Sequence, residues 1–561
     1  MREIDRLTSE RYGIPSLQLM ENAGIAVAKA LTQFAGGDIE SKPVLVLCGR
    51  GNNGGDGAVA ARLLALAGAR VDVVLIGRFE ETRGDARINF ERLQVWKENL
   101  SAQDGSATAQ LGEIQLYECD SEKGWNHLQN SLLTIQHEAI VDALFGTGLS
   151  RPVEGIHKQV IGYLRQLQEP LDPATGSRIG IISVDIPSGL NSDSSELLGE
   201  AVVADLTVTM TAPKPASVLP PAAVHNGELI VADIGSPSEL VGEPAGGLFL
   251  VGATDALRWL IATRYAPESY KNTHGHALVI AGSRGFTGAA ALCGNAAMRT
   301  GAGLVTVATP LSVQPLVATQ VMPEIMTASL VETDRGAVSD DALDYILKFA
   351  ERCDVIAIGP GLSSEDVRTR NFVRGVAEDR RTPIVIDADG LNCLAPWPEA
   401  LKGSDDHPII LTPHPGEMLR LMGAEDKSAL GDRVSAARDF ATRHQVILVL
   451  KGTRALIAAP DGRVFVNPTG NAGLGTAGAG DTLTGIITGF LAQAYGTLRE
   501  EADSLEAIIA ALYLGGLAGD FAATELGMRT MVASDIRRYL SRAIKFLDPD
   551  GELPKRFQRW Q

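Results

Sequence analysis

Short apolar runs alternate with longer amphipathic or small-residue stretches along most of the chain. After an amphipathic opening with Ile4, Leu7, Ile14, Leu17 and Met20, Val/Ile/Leu runs stand at Val44–Leu47, Val71–Ile76, Ala139–Leu144, Gly180–Val184 and Leu206–Met210. Leu229–Asp233 supplies one more candidate. None alternates cleanly with polar residues, the mark of parallel strands covered on both faces. Between Gly235 and Gly247 the stretch GSPSELVGEPAGG is small, polar and turn-rich, and reads as an inter-domain connection. The alternation then restarts at Ala277–Ile280, Leu304–Ala308, Val355–Ile358, Ile384–Ile386, Ile409–Leu411, Val446–Leu450 and Leu456–Ala459. This pattern predicts two different α/β domains, over 1–238 and 247–545, with no internal duplication.

Composition narrows the class. A chain of 561 residues exceeds one ordinary core. A hydrophobic share of 45% with 21% charged residues is that of a globular protein. The formal charge of −18 disfavours phosphate backbones and anionic membranes, so neither nucleic acid nor membrane is an expected partner. A helix N-terminus can still hold a phosphate in such a chain. Five scattered cysteines without a C-x-x-C pair read as reduced, buried thiols. The charged opening Met1–Arg6 has no apolar signal-peptide core, and a cytoplasmic homo-oligomer is expected. The uncharged run Thr300–Pro323 is interrupted by Pro310 and Pro315 and reads as strand, turn and helix, not as a membrane span.

Polar motifs follow several strands, on the edge where open α/β sheets bind ligands. In the first half these are Asn52-Asn-Gly-Gly-Asp56, Asp142-Ala-Leu-Phe-Gly-Thr-Gly-Leu149 and Asp185-Ile-Pro-Ser-Gly189. Gly49, Gly51 and Gly54 also spell G-x-G-x-x-G. A dehydrogenase fingerprint would place an acidic residue about 20 residues on, at the end of the next strand. Here that strand ends in Ile76-Gly77-Arg78, and Asp72 stands near its start. The asparagines and glycines suggest a loop with left-handed backbone folded over a ligand. Asn53, Asp142 and Ser188 offer the hard oxygen ligands that K⁺ prefers, and Asp185 at a strand end suits acid/base chemistry.

The segments GIPSLQLMENAG (Gly13–Gly24), CGRGNNGGDG (Cys48–Gly57), VDALFGTGL, VDIPSG, TAPKPASVL and VADIGSP resemble the NAD(P)H-hydrate epimerase domain of bifunctional repair enzymes. The resemblance implies a Rossmann-like αβα sandwich. It implies a damaged dinucleotide along Asn52, Asn53, Gly54, Gly55 and Asp56 and along Gly146, Thr147, Gly148, Leu149, Ser150, Arg151 and Pro152. It also implies K⁺ on Asn53, Asp142 and Ser188, with Asp185 at the reacting ring. Related chains usually carry several residues before the position of Met1.

The second half has a more specific signal, NPTGNAGLGTAGAGDTLTGIITGFLAQ (Asn467–Gln493). Gly478-Ala-Gly-Asp481 opens an apolar helix whose free N–H groups would bind phosphate, and Asp481 is placed to take a proton from an attacking hydroxyl. His414, between two prolines after a strand, suits either a structural or a ligand-contacting role, as does Lys451. With AGSRGFTGAAAL, IGPGL, VIDADGLN, LTPHPGEMLRL and LVLKGT, this half resembles the ribokinase-like ADP-dependent NAD(P)H-hydrate dehydratases over almost all of 247–540. The resemblance puts the nucleotide on Lys451, Gly452, Thr453, Arg454, Ala455, Asn471, Gly478, Ala479 and Gly480. It puts the hydrate on Gly361, His414, Pro415, Gly416, Glu417, Met418, Leu419, Arg420 and Asp481. Ala472 stands where proline is common, TAGAGD where TGGSGD is usual, and Gly515 where histidine is frequent.

The implied substrates are the hydrates of NADH and NADPH together with ADP carrying Mg²⁺, ATP being an alternative donor. Two other readings stay open from sequence. The second half suits a vitamin-precursor kinase sharing the GAGD loop, and the first half a non-catalytic binding module of the kind found in RNA-processing scaffolds. The retained Asp56, Asp142 and Asp185 weigh against the module.

Overall fold

A computed structural model describes residues 1–101, 112–132, 135, 137–168, 179–242 and 247–549. The chain divides into two compact units, Met1–Pro244 and Ala245–Gln561. Within the expected connection, Ser238–Gly242 is a short helix of the first unit, and 243–246 lie outside the described residues.

The first unit is built on seven parallel strands: β1 Pro43–Cys48, β2 Arg70–Ile76, β3 Ile114–Cys119, β4 Ala139–Ala143, β5 Gly180–Val184, β6 Leu206–Met210 and β7 Glu228–Ala232. Their spatial order is β3-β2-β1-β4-β5-β6-β7. Val44, Val46 and Cys48 enter one core layer with residues of the helices Ser16–Phe34 and Asn52–Leu66. Leu45 and Leu47 enter another with Trp125, Val160 and Leu164. Both faces of β1 are therefore covered, which is why its sequence shows no polar alternation. β3 escaped the sequence reading because it is an edge strand, IQLYEC, with only its two ends buried. The chain turns away from β1 and β4 onto opposite faces, and the crevice between their carboxyl ends is the switch point of the sheet.

The second unit has ten strands: β8 Leu248–Leu250, β9 His276–Ile280, β10 Leu304–Pro310, β11 Met326–Leu330, β12 Val355–Ile358, β13 Ile384–Ile386, β14 Ile409–Leu411, β15 Ile447–Leu450, β16 Leu456–Ala458 and β17 Val464–Val466. Their order is β11-β10-β9-β12-β13-β14-β15-β16-β17-β8. The pairings are parallel except for β15 with β16 and β16 with β17. The three strands not anticipated, β8, β11 and β17, lie toward the two margins of this sheet, where burial is less complete. Thr300–Pro323 folds as β10 and the helix Gln314–Gln320, as expected. A different segment, the helix Ser504–Leu526, is long and apolar enough to cross a bilayer. Here its apolar residues enter the core beside the helix Ala479–Gln493. All five cysteines are buried and unpaired.

Two candidate active sites at the strand ends

In the first unit a cavity of about 630 Å³ opens at the carboxyl ends of β1, β4, β5 and β6. Asn52, Asn53 and Asp56 line it from one side, Gly146, Thr147 and Gly148 from another, with Asp185 and Lys214 between strand ends. Leu149, Ser150, Arg151 and Pro152 continue the same loop outside this lining.

Asp185 follows β5 with φ +69, an uncommon conformation for a non-glycine residue that costs roughly 1–3 kcal/mol. Its carboxylate is 8% exposed as a residue and is held on one side only. Oδ1 accepts from Lys214 Nζ at 2.5 Å and from the Met210 amide at 3.3 Å. Lys214 Nζ also donates to Thr209 Oγ1 at 2.8 Å and to the Met210 carbonyl at 2.9 Å. Oδ2 faces the Gly146 backbone: a Cβ at 146 would stand 3.3 Å from it and 3.0 Å from Asn53 Oδ1. Glycine at 146 thus keeps a gap open between the amide and the carboxylate. Burial pushes the Asp56 carboxyl well above the usual range, and Asp185 and Asp5 add to it. Lys214 is the main residue missed from sequence, although the TAPKPASVL segment contains it. A lysine locked between two prolines in an apolar stretch was the available signal.

Asp142 lies one residue before the end of β4 and is fully buried. It accepts from Ser188 Oγ at 2.6 Å, the Ser188 amide at 2.9 Å and Ser183 Oγ at 2.9 Å. Burial raises its proton affinity, and hydrogen bonds alone oppose that; among the described residues no lysine or arginine pairs with it. Asn53 Nδ2 is buried without a partner. No three His, Cys, Asp or Glu side chains converge as a metal site among the described residues. Asp142 and Ser188 are hydrogen-bonded to each other, and Asn53 Oδ1 stands beside Gly146; these are oxygen donors of the kind hard cations take.

One expectation is overturned. Asn52-Asn-Gly-Gly-Asp56 is not a left-handed loop but the start of the helix Asn52–Leu66, and none of Gly49, Gly51, Gly54 and Gly55 has positive φ. Gly54 and Gly55 lie outside the cavity lining and are tightly packed. A Cβ on Gly54 would fall 1.8 Å from the Gly49 carbonyl oxygen, and one on Gly55 would meet Met20 and the Ala86 backbone below 3 Å. Close approach of backbones, not unusual φ, requires glycine here. Asp72 sits away from the site, 3.3 Å from His137 Nε2, consistent with the missing dehydrogenase acid.

In the second unit a cavity of about 840 Å³ is lined by Lys451, Gly452, Thr453, Arg454, Ala455, Asn471, Ala479 and Gly480, with His414 and Pro415 at its margin. Asn471 is oriented by Asp520, whose carboxylate accepts from its Nδ2 at 2.8 Å and from the Gly470 amide at 2.9 Å. Gly478 caps the helix Ala479–Gln493 at φ +82, where a Cβ would strike Leu292 at 2.4 Å. His414 is the N-cap of the helix Pro415–Met422. Its Nδ1 accepts from the Gly416 and Glu417 amides at 3.0 and 3.3 Å, while Glu417 accepts from the His414 amide at 2.8 Å. His414 is thus a helix cap that also lines the cavity.

The run His414–Arg420 does not act as one surface, because it is helical. Met418 is fully buried and packs, whereas Arg420 is exposed and donates to Asn392 Oδ1 at 2.9 Å. Gly361 lies at the end of β12, where Ser283 Oγ donates to its carbonyl at 2.8 Å. Gly361, Gly416, Glu417, Leu419, Arg420, Gly478 and Asp481 are outside the cavity lining. Asp481, in the first helical turn, is pushed up to about 6 by burial, with Asp387 adding and Lys451 opposing. Lys451 Nζ is 2.7 Å from Asp387 Oδ1, a residue not singled out from sequence.

Two units built on largely parallel sheets, each with a cavity at its strand ends, have the architecture of a two-site α/β enzyme. Residues 16–216 match the family described as YjeF-related protein N-terminus, and 277–542 match NAD(P)H-hydrate dehydratase. The bifunctional NAD(P)H-hydrate repair enzyme of Moorella thermoacetica is 40% identical over 98% of this chain and 97% of its own. That of Escherichia coli is 31% identical over 97% and 92%. The Bacillus subtilis ADP/ATP-dependent NAD(P)H-hydrate dehydratase, co-crystallised with ATP and Mg²⁺, is 32% identical over 51% of this chain and 96% of its own, with a TM-score of 0.43. The chain belongs to the bifunctional NAD(P)H-hydrate repair enzymes.

Proposed function

We propose that the first cavity epimerises the R and S hydrates of NADH and NADPH, with Asp185 as the acid/base, and that the second dehydrates the S form at the expense of ADP. The observation that carries the first part is the one-sided grip on Asp185: Lys214 holds Oδ1, leaving Oδ2 toward the gap at Gly146. The hydrate carries a hydroxyl on the ring carbon beside nitrogen, a hemiaminal-like centre. Moving a proton on and off that hydroxyl opens or dehydrates the centre reversibly, and return from the other face inverts it. A carboxylate within hydrogen-bond reach suffices, with no redox partner. Asn53, Asp142 and Ser188 would hold K⁺, whose charge would offset the buried Asp142 and help fix the phosphate end of the dinucleotide.

In the second cavity the free N–H groups at the start of the helix Ala479–Gln493 suit the phosphates of the donor nucleotide. Asp481 takes the proton of the hydrate's hydroxyl as its oxygen bonds to the transferring phosphorus and the donor's bridging P–O bond breaks. Phosphate then leaves the ring carbon while the neighbouring carbon gives up a proton, restoring the dihydropyridine double bond. Hydroxide is a poor leaving group and phosphate a good one, which accounts for a kinase-like fold in a dehydratase. Mg²⁺ carried in with the nucleotide would offset the charge of its phosphates. Purified protein with epimeric NADH hydrate, Mg²⁺ and ADP or ATP should restore NADH absorbance fully. No recovery with either nucleotide would sink the proposal, and recovery of only the S fraction would remove the epimerase part.

A further inference from the structure

We infer that Asp387 is a positioning residue of the second site: pinned by Thr484, it holds the Lys451 ammonium beneath Gly480 and balances its charge against Asp481. The inference rests on the reading of Asp481 as the proton acceptor.

Asp387 follows β13 and is 1% exposed. Its Oδ1 accepts from Lys451 Nζ at 2.7 Å and its Oδ2 from Thr484 Oγ1 at 2.6 Å. Thr484 stands three residues after Asp481 on the same helix, so the two share a face. A Cβ on Gly480 would lie 3.3 Å from Lys451 Nζ and 3.8 Å from Asp387 Oδ2. The ion pair therefore sits directly against the first turn of the helix whose N–H groups face the donor phosphates, and Lys451 itself lines the cavity. The turn that delivers Asp387 is strained: Ala388, a non-glycine residue, has φ 50 and ψ −119. It sends Asp389 to other partners, the Ser363 amide at 2.9 Å and Asn392 Nδ2 at 3.4 Å.

A buried ion pair by itself is weak evidence for stability, since desolvation consumes most of the Coulomb gain. A pair on a cavity wall beside a proton-accepting carboxylate has a more specific use. Burial opposes ionisation of Asp387, but Lys451, Thr484 and Thr412 outweigh it and the carboxyl stays below its usual range. Burial likewise opposes charge on Lys451, and Asp387 and Glu417 keep it protonated. The groups facing Asp481 are Asp387 after β13, Asp389 on the helix Asp389–Cys393, Glu417 on Pro415–Met422 and Lys451 after β15. The Cys293 thiol, on Thr287–Arg299, is held neutral by burial. Three carboxylates are thus set against one ammonium, and the Asp387–Lys451 pair controls the balance.

The test is the pH dependence of dehydratase kcat/KM in the full-length protein with (S)-NADH hydrate, Mg²⁺ and ADP. The acid limb reports Asp481. Asp387→Asn removes a repelling charge, so the limb should move down by about one pH unit. Lys451→Met removes an attracting one and should move it up by a similar amount. The double variant should return near the wild type. KM for the nucleotide should rise about tenfold in Asp387→Asn, because the ammonium is no longer held in place. Shifts of the same sign in both single variants, or lower Tm with an unmoved limb, would overturn the inference and leave a purely structural pair. Should Asp387→Asn fail to fold, the limb of the double variant must still lie below that of Lys451→Met. Retained activity in Asp481→Asn would instead remove the reading of Asp481, independently of Asp387.

Discussion

The two sites use the same parts in different arrangements. Each places an aspartate and a lysine at the carboxyl edge of its sheet, Lys214 buried and Lys451 half-buried. In the first unit the lysine grips the reacting candidate itself, Lys214 on Asp185. In the second it grips a neighbour, Lys451 on Asp387, and Asp481 is left outside the pair. A gripped carboxylate presents one oxygen in a fixed direction, which suits a reversible proton shuffle at a single ring carbon. An ungripped one among other carboxylates holds its proton more tightly, up to about 6 for Asp481, which suits a base that must accept a proton near neutral pH.

The sharpest way to break this comparison is to remove each carboxylate. Asp481→Asn should lower dehydratase turnover by about 10²–10⁴-fold and spare epimerisation, and Asp185→Asn should do the reverse. Separate assays of R-to-S conversion and of NADH recovery from the S form would show it. Equal loss of both activities in either variant would contradict two independent sites. Next comes the grip. Lys214→Met leaves Asp185 buried without its cation and should cost about 3–5 kcal/mol in denaturant unfolding of the first unit, along with epimerase activity. A variant of normal stability and activity would show that Asp185 needs no partner.

A smaller effect concerns proton balance. As a base Asp481 works deprotonated, so dehydratase kcat/KM should be level above pH about 6 and fall roughly tenfold per unit below it. A profile flat to pH 5 would mean that Asp481 is not the base. The smallest effect separates the motif glycines from one another. Gly54→Ala puts a methyl into the Gly49 carbonyl and should destabilise by about 1–3 kcal/mol. Gly51→Ala, with open space and φ −94, should change stability by less than about 0.5 kcal/mol. Thermal unfolding of the two variants distinguishes glycine kept for packing from glycine tolerated at a helix N-cap.

Much of the fold was legible because covered parallel strands write themselves as uninterrupted apolar runs. Strands β1, β2, β4, β5 and β6, and β9, β10 and β12 to β15, stood out in this way; the exposed edge strand β7 and the antiparallel β16 stood out because their own short runs are apolar. The edge strand β3 and the marginal β8, β11 and β17 did not, since partial exposure admits polar residues and weakens the run. The site was legible where a motif follows a strand or opens a helix: Asn53, Asp185 and Lys451 after strands and Gly480 at a helix start all line their cavities.

The order of residues alone determined two α/β units, the strand edges that carry chemistry, and the family to which the chain belongs. Only the tertiary structure decided which members of each motif line a cavity. A helix spreads neighbouring residues around its axis, so Met418 packs while His414 faces the cavity, and Gly54 packs while Asn53 faces one. It also decided the partners of the buried charges. Lys214 lies 29 residues from Asp185, and Lys451 lies 64 from Asp387. Such pairs form because parallel strands bring their ends together across the sheet, whatever their distance along the chain.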